Sequence, residues 1–470
     1  MWVGSATGFG AKFGSPLGVA GVQTFCKRIR ARAVAIACFA AGAAANAEAA
    51  GFALREYGFD ATSSAFAGAS AQADAPGFLA TNPAASSGVL DWDYQFTANA
   101  IYPTSDASYT TATTSFATPT GGRSTPDDFI LDAYEPGFSL RARATEDLTF
   151  GLSVSVPWGL GTRYGPTWAG RYYAIESKLL TINVAPSIAY RVTDDLVLSA
   201  GVQAQYARGT LSNAIDFGTI GLANGVVGSV PGTQDGFVEF NASDWGFGFV
   251  AGALWSPTDS LTLGATYRSA IAHELSGDVD FVLDTFGIGS VLSGATGAFV
   301  DTRGRAKLTT PAVASVGASL AVTPELSFLA EAGFTQWSAF ETLRVGFSNP
   351  AQPDSFQTYD WKDAWLGAIG VRYQPEHDWI FRAGVAFDES PTRDRTRDPR
   401  IPDSDRTWIA FGVHHDLTEA VSLQVGYARL MFPEEPIGLS AATPGNEIRG
   451  NLAGHTDADA DMISFQLTVR

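Results

Sequence analysis

Residues 50–90 read AGFALREYGFDATSSAFAGASAQADAPGFLATNPAASSGVL, and the reading of this stretch decides the fold. It follows a short apolar leader and precedes a long run of strand-like sequence, yet it does not alternate as a strand does. Gly and Ala are dense. Short helical pieces at 63–70 and 78–85 are broken by Gly77 and Pro83. The stretch closes on Asn82-Pro83-Ala84. Small residues in short turns predict a compact body without sheet pairing of its own: a plug.

Upstream, Lys27-Arg28-Ile29-Arg30-Ala31-Arg32 is a basic region and 33–45 an apolar one, too short to span a membrane as a helix. Ala47-Glu48-Ala49 fits a small-x-small cleavage site, with Ala45-Asn46-Ala47 as a competitor. Residues 1–49 are therefore expected to be a secretion signal with an extended leader, leaving Ala50-Gly51-Phe52 first. Both cysteines, Cys26 and Cys38, fall in that segment. Beyond it lie 25 basic and 47 acidic residues. That balance argues against a nucleic-acid partner. Charged residues are 17% of the chain, below the soluble average of about 25%, while 50 glycines and 12% aromatics are high.

After residue 90 the pattern changes to period two. Trp92, Tyr94, Phe96 and Tyr102 alternate with Asp93, Gln95, Thr97 and Asn99. Leu198, Val202 and Tyr206 alternate with Ser199, Gln203 and Gln205. Ile463, Phe465, Leu467 and Val469 alternate with Ser464, Gln466 and Thr468. An apolar face against a small or polar face, repeated over segments of about ten residues, fits strands of a membrane barrel. Tight acidic turns recur at 145–148, 193–196, 257–260, 323–326, 375–378 and 417–420. Long polar stretches separate them at 103–133, 158–176, 210–242, 278–304, 347–360, 389–404 and 433–458. Alternating short turns and long loops predict fourteen strands, with both chain ends on the short-turn side.

Lipid cannot satisfy an open sheet edge, so such a sheet must close. A barrel of fourteen strands is too wide for its own side chains to fill. The expected fold is therefore all-β: a 14-stranded antiparallel transmembrane β-barrel over 91–470, with residues 50–90 as an N-terminal hatch in its lumen.

The sequence resembles the FadL-type long-chain fatty acid and aromatic hydrocarbon transporters of the bacterial outer membrane. The resemblance rests on Ala50-Gly51-Phe52, Asn82-Pro83-Ala84, Tyr206-Ala207-Arg208, Trp245-Gly246-Phe247-Gly248, Thr266-Tyr267-Arg268-Ser269, the run Phe334–Phe340, Lys362-Asp363-Ala364, the run Phe381–Pro391 and the run Ile401–Arg406. It implies capture of a hydrophobic ligand at outer loops, movement of the hatch, and lateral release where the third strand bends inward. Here that strand is 148–157, and Pro157, Trp158, Gly159 and Gly161 are the candidate opening. Pro157 lacks a ladder N–H, and Gly159 permits a bend; the plain alternative is a strand that ends at Pro157.

Asn82, Pro83 and Ala84 are candidate hatch contacts to the bent strand, or else a cap that stops a helix. Phe52 is a candidate for both hatch and ligand pocket. Carboxylate ligands call for basic side chains. Arg208 is one candidate, and the other two places expected to carry them hold Asn213 and Thr358, which favours a neutral or broad hydrophobic ligand and leaves a long-chain fatty acid open. Inward charges at Arg268, Glu331, Arg372, Arg382 and Asp388 are expected to pair with the plug. The five histidines lack metal spacing, Asp457, Asp459 and Asp461 read as a solvated loop, and neither cofactor nor metal is expected. The implied partners are a hydrophobic small molecule and outer-membrane lipid, with the protein a monomer in the Gram-negative outer membrane. The competing readings are a plain diffusion porin and an outer-membrane lipid-modifying enzyme.

Overall fold

The structure is a computed structural model that describes residues 51–55, 58–89 and 91–470. The expected leader, 1–49, and both cysteines lie outside the described residues. Fourteen antiparallel strands form the wall. They are β1 Trp92–Thr113, β2 Ala133–Arg143, β3 Leu148–Ser155 continued by Gly159–Arg163, β4 Glu176–Arg191, β5 Leu196–Asp216, β6 Asp235–Thr258 and β7 Leu261–Arg268 continued by Ile271–Val282. The other seven are β8 Thr302–Thr310 continued by Val313–Ala321, β9 Leu326–Thr335, β10 Ala364–Glu376, β11 Trp379–Asp388, β12 Arg406–Thr418, β13 Val421–Met431 and β14 Asn451–Val469. Each pairs with its sequence neighbour, and β14 pairs with β1 from Tyr94↔Val469 to Thr113↔Asn451. The sheet closes on itself through the β14–β1 ladder, as lipid requires.

The alternation places side chains as expected. On β14, Phe465 is 51% exposed while Gln466 is 2% exposed. On β1, Asp93, Gln95 and Asn99 are buried and Trp92, Phe96 and Tyr102 are exposed. Several strands run well past the apolar belt, which corrects the expected loop bounds. β1 extends to Thr113, β5 to Asp216, and β14 begins at Asn451, inside stretches read as loops. Polar residues in a ladder beyond the lipid keep their hydrogen bonds to each other but lose the apolar half of the pattern.

Residues 58–89 are buried among the inward-facing side chains, except a short exposed patch near Asp74 and Gly88. Their helical turns are shorter than expected: an α-turn at Phe59–Thr62 and 3₁₀ turns at Ala69–Ala71, Pro76–Ala80 and Pro83–Gly88. The expected pieces at 63–70 and 78–85 are thus corrected. Pro83 starts a turn rather than breaking one, because its missing N–H costs nothing at a first helical position. Asn82 caps that turn through its side chain.

Two devices hold this segment to the wall. Inner-wall glycines let its backbone approach: a Cβ on Gly384 would lie 1.9 Å from the Ser64 carbonyl oxygen, and one on Gly264 1.9 Å from that of Ser70. Charged side chains then bind its polar groups. Arg382 meets Asp60 at 3.6 Å and Asp74 at 3.0 Å, and Arg372 meets Asp74 at 3.2 Å. Glu331 accepts from Ser70 N at 3.1 Å. Arg268 donates to Ala80 O, and Asp388 pairs with Arg55 at 3.2 Å. All five inward charges singled out in the sequence reach residues 55–80. Arg141, paired with Asp93, adds bonds to the Ala73 and Ala85 carbonyls.

Candidate functional site

The wall is interrupted between β2 and β3, beside the described start of the chain. The β2–β3 ladder runs from Arg143↔Thr149 to Phe138↔Val154 and stops. Beyond it, Val156-Pro157-Trp158 turns into the lumen. The chain rejoins the wall at Gly159–Arg163, where Leu131 N donates to Gly161 O at 2.9 Å. Pro157 cannot donate to β2, so the interruption falls where the sequence removes a ladder bond. On the other side the turn stays attached to β4: Trp158 N donates to Thr181 Oγ1 at 3.0 Å, and Thr181 N to Trp158 O at 3.0 Å.

The inner edge of this turn is taken by the leading peptide. Leu54 N donates to Pro157 O at 2.9 Å, Gly159 N donates to Phe52 O at 2.9 Å, and Ala53 bridges Trp158 antiparallel. A Cβ on Gly159 would lie 2.5 Å from Leu54 Cδ1, so a side chain here would push the Leu54 side chain aside. Of the four candidates for the opening, Pro157, Trp158 and Gly159 sit at the break, while Gly161 lies in the rejoined wall. The main-chain contacts to the break come from Phe52 and Leu54, not from Asn82-Pro83-Ala84. Asn82 instead donates to Ser70 O at 2.7 Å and to Ala253 O of β6 at 3.1 Å. The turn that Asn82 caps does reach β3, away from the break: the Ser86 and Thr149 hydroxyls share a hydrogen bond of 2.9 Å.

Phe52 fills an aromatic cage. Its ring centroid is 4.7 Å from Trp337, 5.3 Å from Phe340, 5.6 Å from Trp361 and 5.9 Å from Trp158. Edge-to-face contacts of this kind add about 0.5–1.5 kcal/mol per pair beyond area burial. Gly51 has φ 66° and would strike Trp361 at 2.7 Å with a Cβ; its N–H donates to buried Asp403 at 2.9 Å. The peptide joins two apolar clusters. Phe52 and Ala53 belong to one with Leu160, Leu179 and Ile401. Leu54 belongs to the other, with Ile101, Ala133, Val156 and Met462, at the break.

The remaining candidates separate by parity. Arg208 is exposed on the outer face, since Gln203, Gln205 and Ala207 take the inner one. It is not a lumen residue, and that expectation is corrected. Thr358 is half-buried beside the buried Gln357, one residue off the inward face. Asn213 accepts from Arg400 Nη2 at 2.9 Å, and Gln357 Oε1 accepts from Arg449 Nη1. Basic groups therefore do stand at both places expected to hold them, but they arrive from the loops 389–405 and 432–450. Loop charges look solvated in a sequence, and nothing in the spacing of Arg400 or Arg449 distinguished them. Asp459 and Asp461 pair with Arg429 at 2.5 and 2.8 Å.

A closed fourteen-strand barrel with an apolar outer belt, an occupied lumen and a buried aromatic cage defines an outer-membrane β-barrel protein of the transport class. Residues 40–470 match the family described as outer membrane protein transport protein (OMPP1/FadL/TodX), and the chain belongs to that family. It is 28% identical over 400 residues to the long-chain fatty acid transport protein of Escherichia coli K12, covering 80% of this chain and 86% of that protein. It is 27% identical over 418 residues to outer membrane protein P1 of Haemophilus influenzae, covering 83% and 87%. Among solved structures, a Pseudomonas aeruginosa FadL homologue superposes with TM-score 0.80 at 27% identity, over 89% of this chain and 99% of that one. The Ralstonia pickettii toluene transporter TbuX shares the fold at TM-score 0.63 and 19% identity, over 88% and 100%. The protein is placed in the Gram-negative outer membrane.

Proposed function

We propose that this protein is a passive uptake channel for hydrophobic compounds, with residues 50–90 as its hatch and the break in β3 as its lateral exit. The observation that carries the reading is the Phe52–Leu54 peptide. It occupies an aromatic cage at one end and the wall opening at the other, and its side chains join the two apolar clusters. A ligand that displaced it would run from cage to opening through apolar surroundings. Sideways exit into the membrane keeps such a ligand out of water, at about 25 cal/mol per Å2 of apolar surface. The names of the relatives, a fatty acid transporter and a toluene transporter, support a hydrophobic cargo in the same terms. The protein works in this reading as a monomer surrounded by outer-membrane lipid.

The test is to close the exit. Ala133 is buried at the end of β2 that pairs with β1 but not with β3, in one apolar cluster with Val156. Ala133→Arg should stop uptake of a radiolabelled long-chain compound by whole cells while the barrel remains folded. Undiminished uptake would remove the lateral route. A plain diffusion porin would carry ions freely, whereas the lumen filling described above predicts near-zero single-channel conductance.

A further inference from the structure

The ladder between β6 and β7 is interrupted on the lipid-facing side of the barrel. Its lower part ends at Val250↔Arg268 and its upper part starts at Ser243↔Ser276, so Asp244–Phe249 has no ladder partner on β7. β7 itself stays with β8 on both sides of the interruption, at Val313↔Arg268 and Thr310↔Ile271. Side chains supply bonds at the two ends of the gap. Phe249 N donates to Ser269 Oγ at 2.9 Å, and Glu274 N donates to Asp244 Oδ2 at 2.8 Å.

At this gap β7 steps inward. Gly246 faces the lumen, because Trp245 and Phe247 on either side of it are exposed. A Cβ on Gly246 would lie 2.5 Å from Ile271 Cγ2 and 3.0 Å from Ala272 O, which places β7 on the lumen side of β6. On the outer surface the step leaves a recess. Its floor is Ala270 and Ala272, small and exposed, and its wall is Phe247 and Phe249, 75% and 52% exposed.

Above the recess, toward the long loops, the outer face turns basic. Arg208, Ser243, Ser276 and Arg305 occupy one row across β5, β6, β7 and β8. All four face outward by parity, Arg208 with Tyr206, Ser243 with Trp245, Ser276 with Glu274 and Arg305 with Lys307. Strand spacing of about 4.8 Å sets the two arginine backbones roughly 14 Å apart, with two hydroxyls between them. Among the described residues Arg208 and Lys307 form no ion pair. Arg305 has Glu274 at 3.8 Å, and both side chains are more than half exposed, a contact that solvent screens.

The face across the barrel has the opposite charge. On β14, Asp457, Asp459 and Asp461 point outward above Ile463, and Asp457 stands across from Asp106 of β1. A single cation, Arg429, serves Asp459 and Asp461. In a chain with 25 basic and 47 acidic residues beyond the leader, an outward row of cations at headgroup height is a local reversal of charge.

We propose that the outer face of β5–β8 seats one phosphorylated, multiply acylated lipid of the outer leaflet, the lipid A part of lipopolysaccharide. A phosphate takes the row of two guanidinium groups and two hydroxyls, with the Lys307 ammonium beside it, because charge-assisted bonds are the strong ones at such a site. An acyl chain lies over Ala270 and Ala272, against the rings of Phe247 and Phe249. The lipid thereby covers the stretch of wall that lacks ladder pairing. The aspartates of β14 repel the same phosphates, so the seat is confined to one side of the barrel.

Native mass spectrometry of the purified full chain, released from detergent micelles, compares binding of added bisphosphorylated lipid A with its dephosphorylated form. The wild type should hold the phosphorylated form at least about tenfold more tightly. Arg208→Gln/Arg305→Gln/Lys307→Gln should bring the two close to equal, and Arg208→Lys/Arg305→Lys should keep most of the preference. Ala272→Trp fills the recess without altering charge and should weaken both forms alike. Heat-modifiable migration verifies that each variant is folded. A triple Gln variant that keeps the preference, or a wild type that shows none, overturns the phosphate seat. An Ala272→Trp variant that binds as tightly as wild type overturns the acyl seat. Displacement of lipid A by inorganic phosphate alone would make the row a site for the free ion and overturn the lipid assignment.

Discussion

The leading peptide, 51–55, and the body of the luminal segment, 58–89, are both buried, but they are held by different forces. The body is fixed by charge and by close backbone contact: Asp60 and Asp74 on Arg382, carbonyls on Arg141 and Arg268, and wall glycines beneath Ser64 and Ser70. The leading peptide relies on ring contacts, a few backbone hydrogen bonds, and Arg55 at its rear. Removing a charged contact strands a buried ion, whereas removing an apolar contact leaves a slot that another apolar group can fill. One region is therefore built to stay and the other to be exchanged.

The strongest way to break this contrast is Arg382→Ala. Asp60 is fully buried and would lose its cationic partner, keeping one donor, Gln466 Nε2 at 2.7 Å. Loss of one member of a buried pair costs roughly 3–5 kcal/mol. The expected outcome is a drop of that size in urea unfolding followed in lipid bilayers, together with ion conductance through a loosened lumen. A variant as stable and as closed as wild type would mean the charges do not hold the body. Phe59→Ala should follow at about 3–4 kcal/mol, since the Phe59 ring lies against Gly412 and Gly426 and leaves a cavity the wall cannot collapse. Gly384→Ala comes next. Its Cβ would lie 1.9 Å from the Ser64 carbonyl, and the shift this forces should cost about 1–3 kcal/mol in the same assay.

Much of this fold is legible in the sequence. Closure into fourteen strands follows from period-two segments and alternating turn lengths, because lipid enforces both. The small inner face of the wall is the imprint of the segment it receives. Parity places Arg208 on the outer face with Leu198, Val202 and Tyr206, and that parity outranks the motif position that makes it a ligand candidate. What the sequence could not reveal depends on contacts between loops far apart in the chain. Trp337 and Trp361 lie in loop sequence without a regular period, and only the fold brings them together around Phe52. Arg400 and Arg449 sit 49 positions apart by their numbers, in segments whose charges suggest solvent. The partners that distinguish them, Asn213 and Gln357, are brought to them only by the fold.

The finest test sets Phe52 against Phe59. Both rings are almost wholly buried, at 1% and 0% exposure. Area alone assigns them equal costs. If the leading peptide is exchangeable, Phe52→Ala should change global stability by less than about 1 kcal/mol, because the peptide can leave its slot while the wall and the body remain intact. Its effect should appear locally instead, as faster amide exchange at Leu54 and Gly159, whose N–H groups bond across the break. A full core-residue loss of about 3 kcal/mol or more would place the peptide in the same cooperative unit as the body. Ligand entry would then require unfolding part of the lumen rather than displacing one strand-like edge.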